Sequence, residues 1–342
     1  MTTQERMLSY YAFDEAVLDA VSEAATQQNT KSFNELATQY GLEDGPTRLY
    51  PMDNSEKWPI DVLQFTPTQD YDPAVMRVLH LPMANPVSKN KTMQAMRLFA
   101  ADPSEQLLVV GNPSSPGRNA GRVTFEGAKT IIWHTNLGPL VEPLMSYLDQ
   151  ENISRVTNLG YSYGAEKAAT ATGIAWAYGM EARQMVLAEP ISVIERSLAK
   201  LGLAFLRSGN KLQEYIAQSE SEPYTAIRKE ENVFGTIAYT LGMLRLTNLA
   251  ISAALADEGF QSRVKGALNL HPGLRTAIAW GTASELTNNA QMIRIISELK
   301  ESRASYPSRI SAMPLEGMHH AGGDDIDLHA AIMLQGLANT SR

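Results

Sequence analysis

From residue 60 onward, short apolar runs are repeatedly followed by longer segments whose apolar residues recur every three or four positions. Asp61–Phe65, Val75–Leu81, Gln106–Gly111, Ile153–Leu159, Gln184–Ala188, Thr276–Trp280 and Ile310–Met313 read as strands. The stretches 91–100, 140–148, 165–178, 289–300 and 327–337 read as helices. Strands separated by helices pair in parallel, with helices on both faces of the sheet. The pattern therefore predicts an α/β fold built on a mostly parallel central sheet.

Two segments depart from that rhythm. Residues 4–40 carry helical stripes, Val17, Leu18, Val21 and Ala24 in one and Phe33, Leu36 and Ala37 in another, before Gly41, Gly45 and Pro46 end the pattern. Residues 191–263 are helical in spacing and contain no convincing strand. Lying between two strand-bearing halves, this segment reads as an inserted cap, the alternative being a long crossover packed flat on the sheet. The expected layout is a helical extension over 1–45, a first core part over 46–190, a cap over 191–263 and a second core part over 264–342.

Composition removes several classes of function. The net charge of −8 gives no bulk electrostatic attraction for nucleic acid. The chain has no cysteine, so disulfides, thiolate metal sites and cysteine nucleophiles are excluded together. The first residues lack a basic segment followed by an apolar run, which argues against a secretory signal. The most apolar long stretch, Phe234–Leu255, carries Arg245, Asn248 and several hydroxyl residues, and reads as a buried helix rather than a membrane span. A cytoplasmic protein is expected.

Gly160-Tyr161-Ser162-Tyr163-Gly164 matches G-x-S-x-G and sits between a predicted strand and a predicted helix. A serine displayed on so sharp a turn needs small neighbours, which Gly160, Gly164, Ala165, Ala168 and Ala169 supply. On this motif and its context, the stretch from about Asp61 to Leu337 resembles the α/β-hydrolase superfamily, the serine esterases and lipases with a helical cap. The resemblance implies a nucleophilic Ser162, an acid beyond a later strand and a histidine beyond the last strand, in that order.

For the histidine, the loop Glu316-Gly317-Met318-His319-His320 follows the last predicted strand; His319 is the first choice and His320 the second. For the acid, the position the family favours is Ser284, and Glu285 beside it is preferred over Glu189 at the end of an earlier strand. The implied oxyanion hole uses the backbone N–H of Tyr163 and of Met83, with Ala84 as fallback because Pro82 has no N–H. His80 is expected to pack or order its loop. His319, His320, Asp324, Asp325, Asp327 and His329 crowd together, but Asp324 and Asp325 fit a helix start better than a metal site. Trp133, Trp176 and Trp280 are expected in the core.

The resemblance implies a serine hydrolase that forms an acyl-enzyme from an ester, thioester or amide and needs neither cofactor nor metal. The apolar cap implies a small-molecule partner with a hydrophobic acyl group. The alternative is a catalytically silent relative acting as a binding or assembly component, motivated by the helical extension and by Leu81 and Ser284 at positions where the family has other residues.

Overall fold

The computed structural model describes residues 11–42, 44–49, 60–82, 88–112, 128–129, 131, 137–205, 207–208, 246–302 and 310–341. Eight strands form one sheet: β1 (Thr47–Leu49), β2 (Ile60–Phe65), β3 (Val75–His80), β4 (Gln106–Val110), β5 (Arg155–Tyr161), β6 (Glu181–Ala188), β7 (Arg275–Gly281) and β8 (Ile310–Leu315). Their order is β1-β2-β4-β3-β5-β6-β7-β8. β2 runs antiparallel to β1 and β4, and every other pairing is parallel. β1 has no counterpart in the sequence reading; three residues are too few to show a period.

The central strands are buried on both faces, as a parallel sheet under two helix layers requires. Side-chain alternation divides them cleanly. Leu107, Val109, Val186, Ala188, Ala277 and Ala279 enter one core. Their neighbours Leu108, Val110, Met185, Leu187, Ile278 and Trp280 enter the other.

The first core lies under α1 (Glu15–Gln28), α2 (Phe33–Gln39), α3 (Lys89–Ala101) and α9 (Ile326–Ser341). The second lies under α4 (Gly138–Gln150), α5 (Tyr163–Ala175), α7 (Phe260–Leu270) and α8 (Asn289–Ser302). The two predicted N-terminal stripes lie on two helices, α1 burying Val17, Val21 and Ala24 and α2 burying Leu36. A capping box in which Ser32 and Glu35 bond each other's backbone N–H starts α2.

Of the expected cap, the structure describes 191–205, 207–208 and 246–263, the last including α6 (Leu246–Ala256). Ile191, Leu201, Ile251, Ala254 and Leu255 form a third cluster with Leu137, Leu140 and Tyr163. These residues therefore pack against Tyr163, the residue after Ser162. α7 begins inside the expected cap range but packs on α5 as part of the core. Among the described residues no helix is long and apolar enough to cross a membrane.

The turn into α5 rests on two glycines. A Cβ on Gly160 would strike the backbone carbonyl of Gly164, and one on Gly164 would strike the carbonyl of His80. Neither obstacle is a side chain that can swing away. Gly164→Ala is expected to destabilise the fold by about 1–3 kcal/mol or more, seen as a lower urea midpoint. Gly266→Ala, in a helix interior with open space around it, is expected to be neutral or slightly stabilising.

Candidate active site

β5 ends at Tyr161 and α5 begins at Tyr163, which leaves Ser162 alone on the turn with φ 60° and ψ −129°. Its N–H donates to the carbonyl of Ala188 at 2.8 Å, tying the turn to the end of β6. The next residue of β6's exit, Glu189, also has a positive φ of 53°, and its N–H donates to Ala279 at 2.8 Å. Two adjacent strand ends thus place a hydroxyl and a carboxylate on the same edge of the sheet.

His320 joins them. Its Nε2 lies 2.9 Å from Ser162 Oγ and its Nδ1 lies 2.9 Å from Glu189 Oε2. A carboxylate only accepts, so Nδ1–H donates to Glu189 and Nε2 is left to accept the serine proton. All three side chains are buried. Glu189 accepts further bonds from the N–H of Gly281, from Ser284 Oγ at 2.5 Å and from Thr287 Oγ1 at 3.2 Å. Thr287 divides its one proton between that contact and the Pro190 carbonyl at 2.8 Å.

Two first choices from sequence are corrected here. His319 does not approach Ser162; its Nδ1 lies 2.8 Å from Glu285 Oε1, and the pair is partly exposed. Glu285 does not reach the imidazole of His320, only its backbone N–H, at 3.4 Å. The reason is local. His319 is extended, with φ −86° and ψ 158°, and precedes a 3-10 turn over His320–Asp324, so consecutive side chains point apart. Tyr161 decides which one turns inward. Its ring stacks on His320 with centroids 5.2 Å apart, and its hydroxyl donates to the His320 carbonyl.

The residues missed from sequence are Ser284, Thr287 and Tyr161. Ser284 occupies the position where the family resemblance leads one to expect an acid, and its hydroxyl donates to Glu189. The Glu-Pro pair directly after a strand was the available sign for Glu189.

Tyr163 opens the first turn of α5, where helix N–H groups lack intrahelical acceptors. Met83 and Ala84, the other oxyanion candidates, lie outside the described residues, as does Trp133. Trp280 is buried and donates from Nε1 to Asn289 at 2.7 Å. Trp176 is a correction: in the 3-10 turn after α5 it is 62% exposed. A cleft of about 390 Å³ opens beside Glu285, walled by Ile194, Arg196, Lys200 and Leu203.

The crowded acid and histidine cluster is accounted for by protein partners. Asp324 pairs with Lys91 and Asp327 with Arg97. Asp325 accepts from the N–H groups of Asp327 and Leu328 at the start of α9. His329 bonds the carbonyl of Gly323 through Nδ1 at 3.1 Å. Burial, aided by the Lys91 ammonium, pushes its pKa down to about 4. His80 packs beneath the site with Nε2 3.0 Å from Asn158 Oδ1. Burial and the Lys167 ammonium push it down to about 3, while burial brings Lys167 down to about 7.

No family model matches the chain, and no curated protein is significantly similar to it in sequence. Solved structures do match. An esterase from Exiguobacterium antarcticum superimposes with a TM-score of 0.51 at 14% identity, covering 87% of this chain and 100% of its own. A loop variant of a haloalkane dehalogenase from Bradyrhizobium elkanii gives 0.50 at 12% identity, covering 87% and 97%. With the strand order above, these likenesses establish the class: the chain has the α/β-hydrolase fold.

The two depressed histidines set a stability slope. An unfolded histidine takes up its proton near pH 6.5, whereas folded His80 and His329 do so only near 3 and 4. Their contribution to stability is present above pH 6.5 and is lost as the pH falls toward those values. The melting temperature is expected to drop steadily between pH 6.5 and 4, and His80→Gln is expected to flatten that drop.

Proposed function

We propose that this protein is a serine hydrolase whose reacting groups are Ser162, His320 and Glu189. The observation that carries the reading is the unbroken chain from Ser162 Oγ through both nitrogens of His320 to Glu189, each link 2.9 Å. A serine hydroxyl is a weak nucleophile at neutral pH, and a neutral imidazole at hydrogen-bond distance relieves it of its proton.

Oγ attacks the carbonyl carbon of an ester, thioester or amide while its proton passes to His320 Nε2. Glu189 stabilises the resulting imidazolium through Nδ1–H. The N–H of Tyr163 faces the developing oxyanion as one donor of the hole. Collapse breaks the bond to the leaving group, which takes the proton from Nε2, and Ser162 keeps the acyl group. Water, deprotonated by the same nitrogen, then releases the acid and restores the serine.

The substrate is a small molecule with a hydrophobic acyl portion. The support is the apolar cluster joining Tyr163 and Ile191 to the cap residues Leu201, Ile251 and Leu255 beside the nucleophile. A complete serine, base and acid favours this reading over a catalytically silent relative.

Ser162→Ala is expected to abolish labelling by a fluorophosphonate probe and to cut turnover of p-nitrophenyl esters by at least about 10³-fold. Retained turnover in a clean preparation overturns the assignment. Glu189→Gln is expected to lower kcat by about 10³–10⁴-fold. Glu285→Gln, which removes the partner of a partly exposed histidine, is expected to cost less than about tenfold. The reverse ranking would return the acid's role to Glu285.

A further inference from the structure

Helix α3 carries an unusual burden for a helix packed on a sheet. Lys91, Gln94 and Arg97 recur every third residue on one face, and all three are buried. Burying two cations and an amide is costly unless each finds partners. Their partners lie in the segment that carries His320.

Lys91 Nζ pairs with Asp324, donates to Gln94 Oε1 at 3.1 Å and sits 5.7 Å from the centre of the Tyr161 ring. Gln94 Nε2 donates to the carbonyl of Gly323 at 3.1 Å. Arg97 pairs with Asp327, with both side chains almost wholly buried. On its other side Arg97 donates to Gln28 Oε1 at 2.8 Å and to Asn29 Oδ1 at 2.9 Å, at the end of α1. Three successive rungs therefore tie residues 323, 324 and 327 to α3, and the last rung runs on into the N-terminal helices.

Tyr161 closes the arrangement. It stacks on the His320 ring and holds the His320 carbonyl, and Gly323 lies so close beneath the Tyr161 ring that a Cβ there would collide with it. Lys91 thus acts on both supports of the imidazole, the loop that carries it and the ring it rests on.

We infer that Lys91, Gln94 and Arg97 are positioning residues for His320, and that α1 belongs to the same device through Gln28 and Asn29. The inference rests on the serine hydrolase reading given above. None of the three touches the reacting atoms; they fix the 3-10 turn from which the imidazole reaches Ser162. A base misplaced by about 1 Å loses on the order of 10²-fold in rate, which is the scale such a device controls.

The test uses the full chain with Lys91→Met, Lys91→Arg, Gln94→Leu and the distal Gln28→Leu. Arg97 is left intact because its loss threatens folding. Each variant is first shown to unfold cooperatively. Lys91→Met is expected to lower kcat by about 10- to 100-fold with KM little changed, and to slow fluorophosphonate labelling in parallel. It is also expected to speed hydrogen exchange across 316–325. Gln94→Leu and Gln28→Leu are expected to move the same readouts less, and Lys91→Arg to recover most of the loss. A wild-type chain that labels normally, with Lys91→Met unchanged in kcat and in exchange, overturns the positioning role alone. A wild-type chain inert to the probe overturns the serine reading and the positioning role with it.

Discussion

A serine held at φ 60° and ψ −129° in the single residue between a strand and a helix is the constraint from which the rest of the structure follows. The left-handed region is costly for a residue with a side chain, of order 1–3 kcal/mol, and persists only where surrounding contacts over-determine it. Here those contacts are backbone to backbone. Gly160 and Gly164 let the helix start press against β5 and β3, and the Ser162 N–H is held by β6. The run of alanines after the turn allows α5 to lie flat on the sheet. Strain at one residue is carried by three strands and a helix.

A second left-handed residue, Glu189, answers the first one strand away. Its carboxylate is buried among four donors from β7, the following loop and the histidine. A buried charge needs that many bonds to be tolerated. The loop Gly281–Thr287 thus acts as a cradle for an acid contributed by its neighbour, with Ser284 where an acid was expected. Beside it, His319 and Glu285 form a second, more open pair.

The sheet, its helices and Ser162 were legible because each is written locally: short apolar runs, a three- to four-residue period, and glycines on either side of a serine. The choice between His319 and His320 was not, because adjacent residues share every local signal. It is made by Tyr161, a residue 159 positions from the His320 carbonyl it bonds. The acid was ambiguous for a similar reason. Whether Glu189 or Glu285 meets the imidazole depends on the donors gathered around Glu189, three of which come from residues 281–287. Trp176 was misjudged because apolar spacing continued past the point where α5 ends.

The bond from His320 to Ser162 spans 158 residues and the one to Glu189 spans 131, whereas serine and carboxylate sit on consecutive strands. Ser162 and Glu189 can therefore be arranged by one β-α-β unit while most of the second half of the chain is still unmade. Until residue 320 has been synthesised and its loop has docked, that hydroxyl has no imidazole within hydrogen-bond distance. During synthesis the contact between Ser162 and His320 is thus among the last that the chain can make.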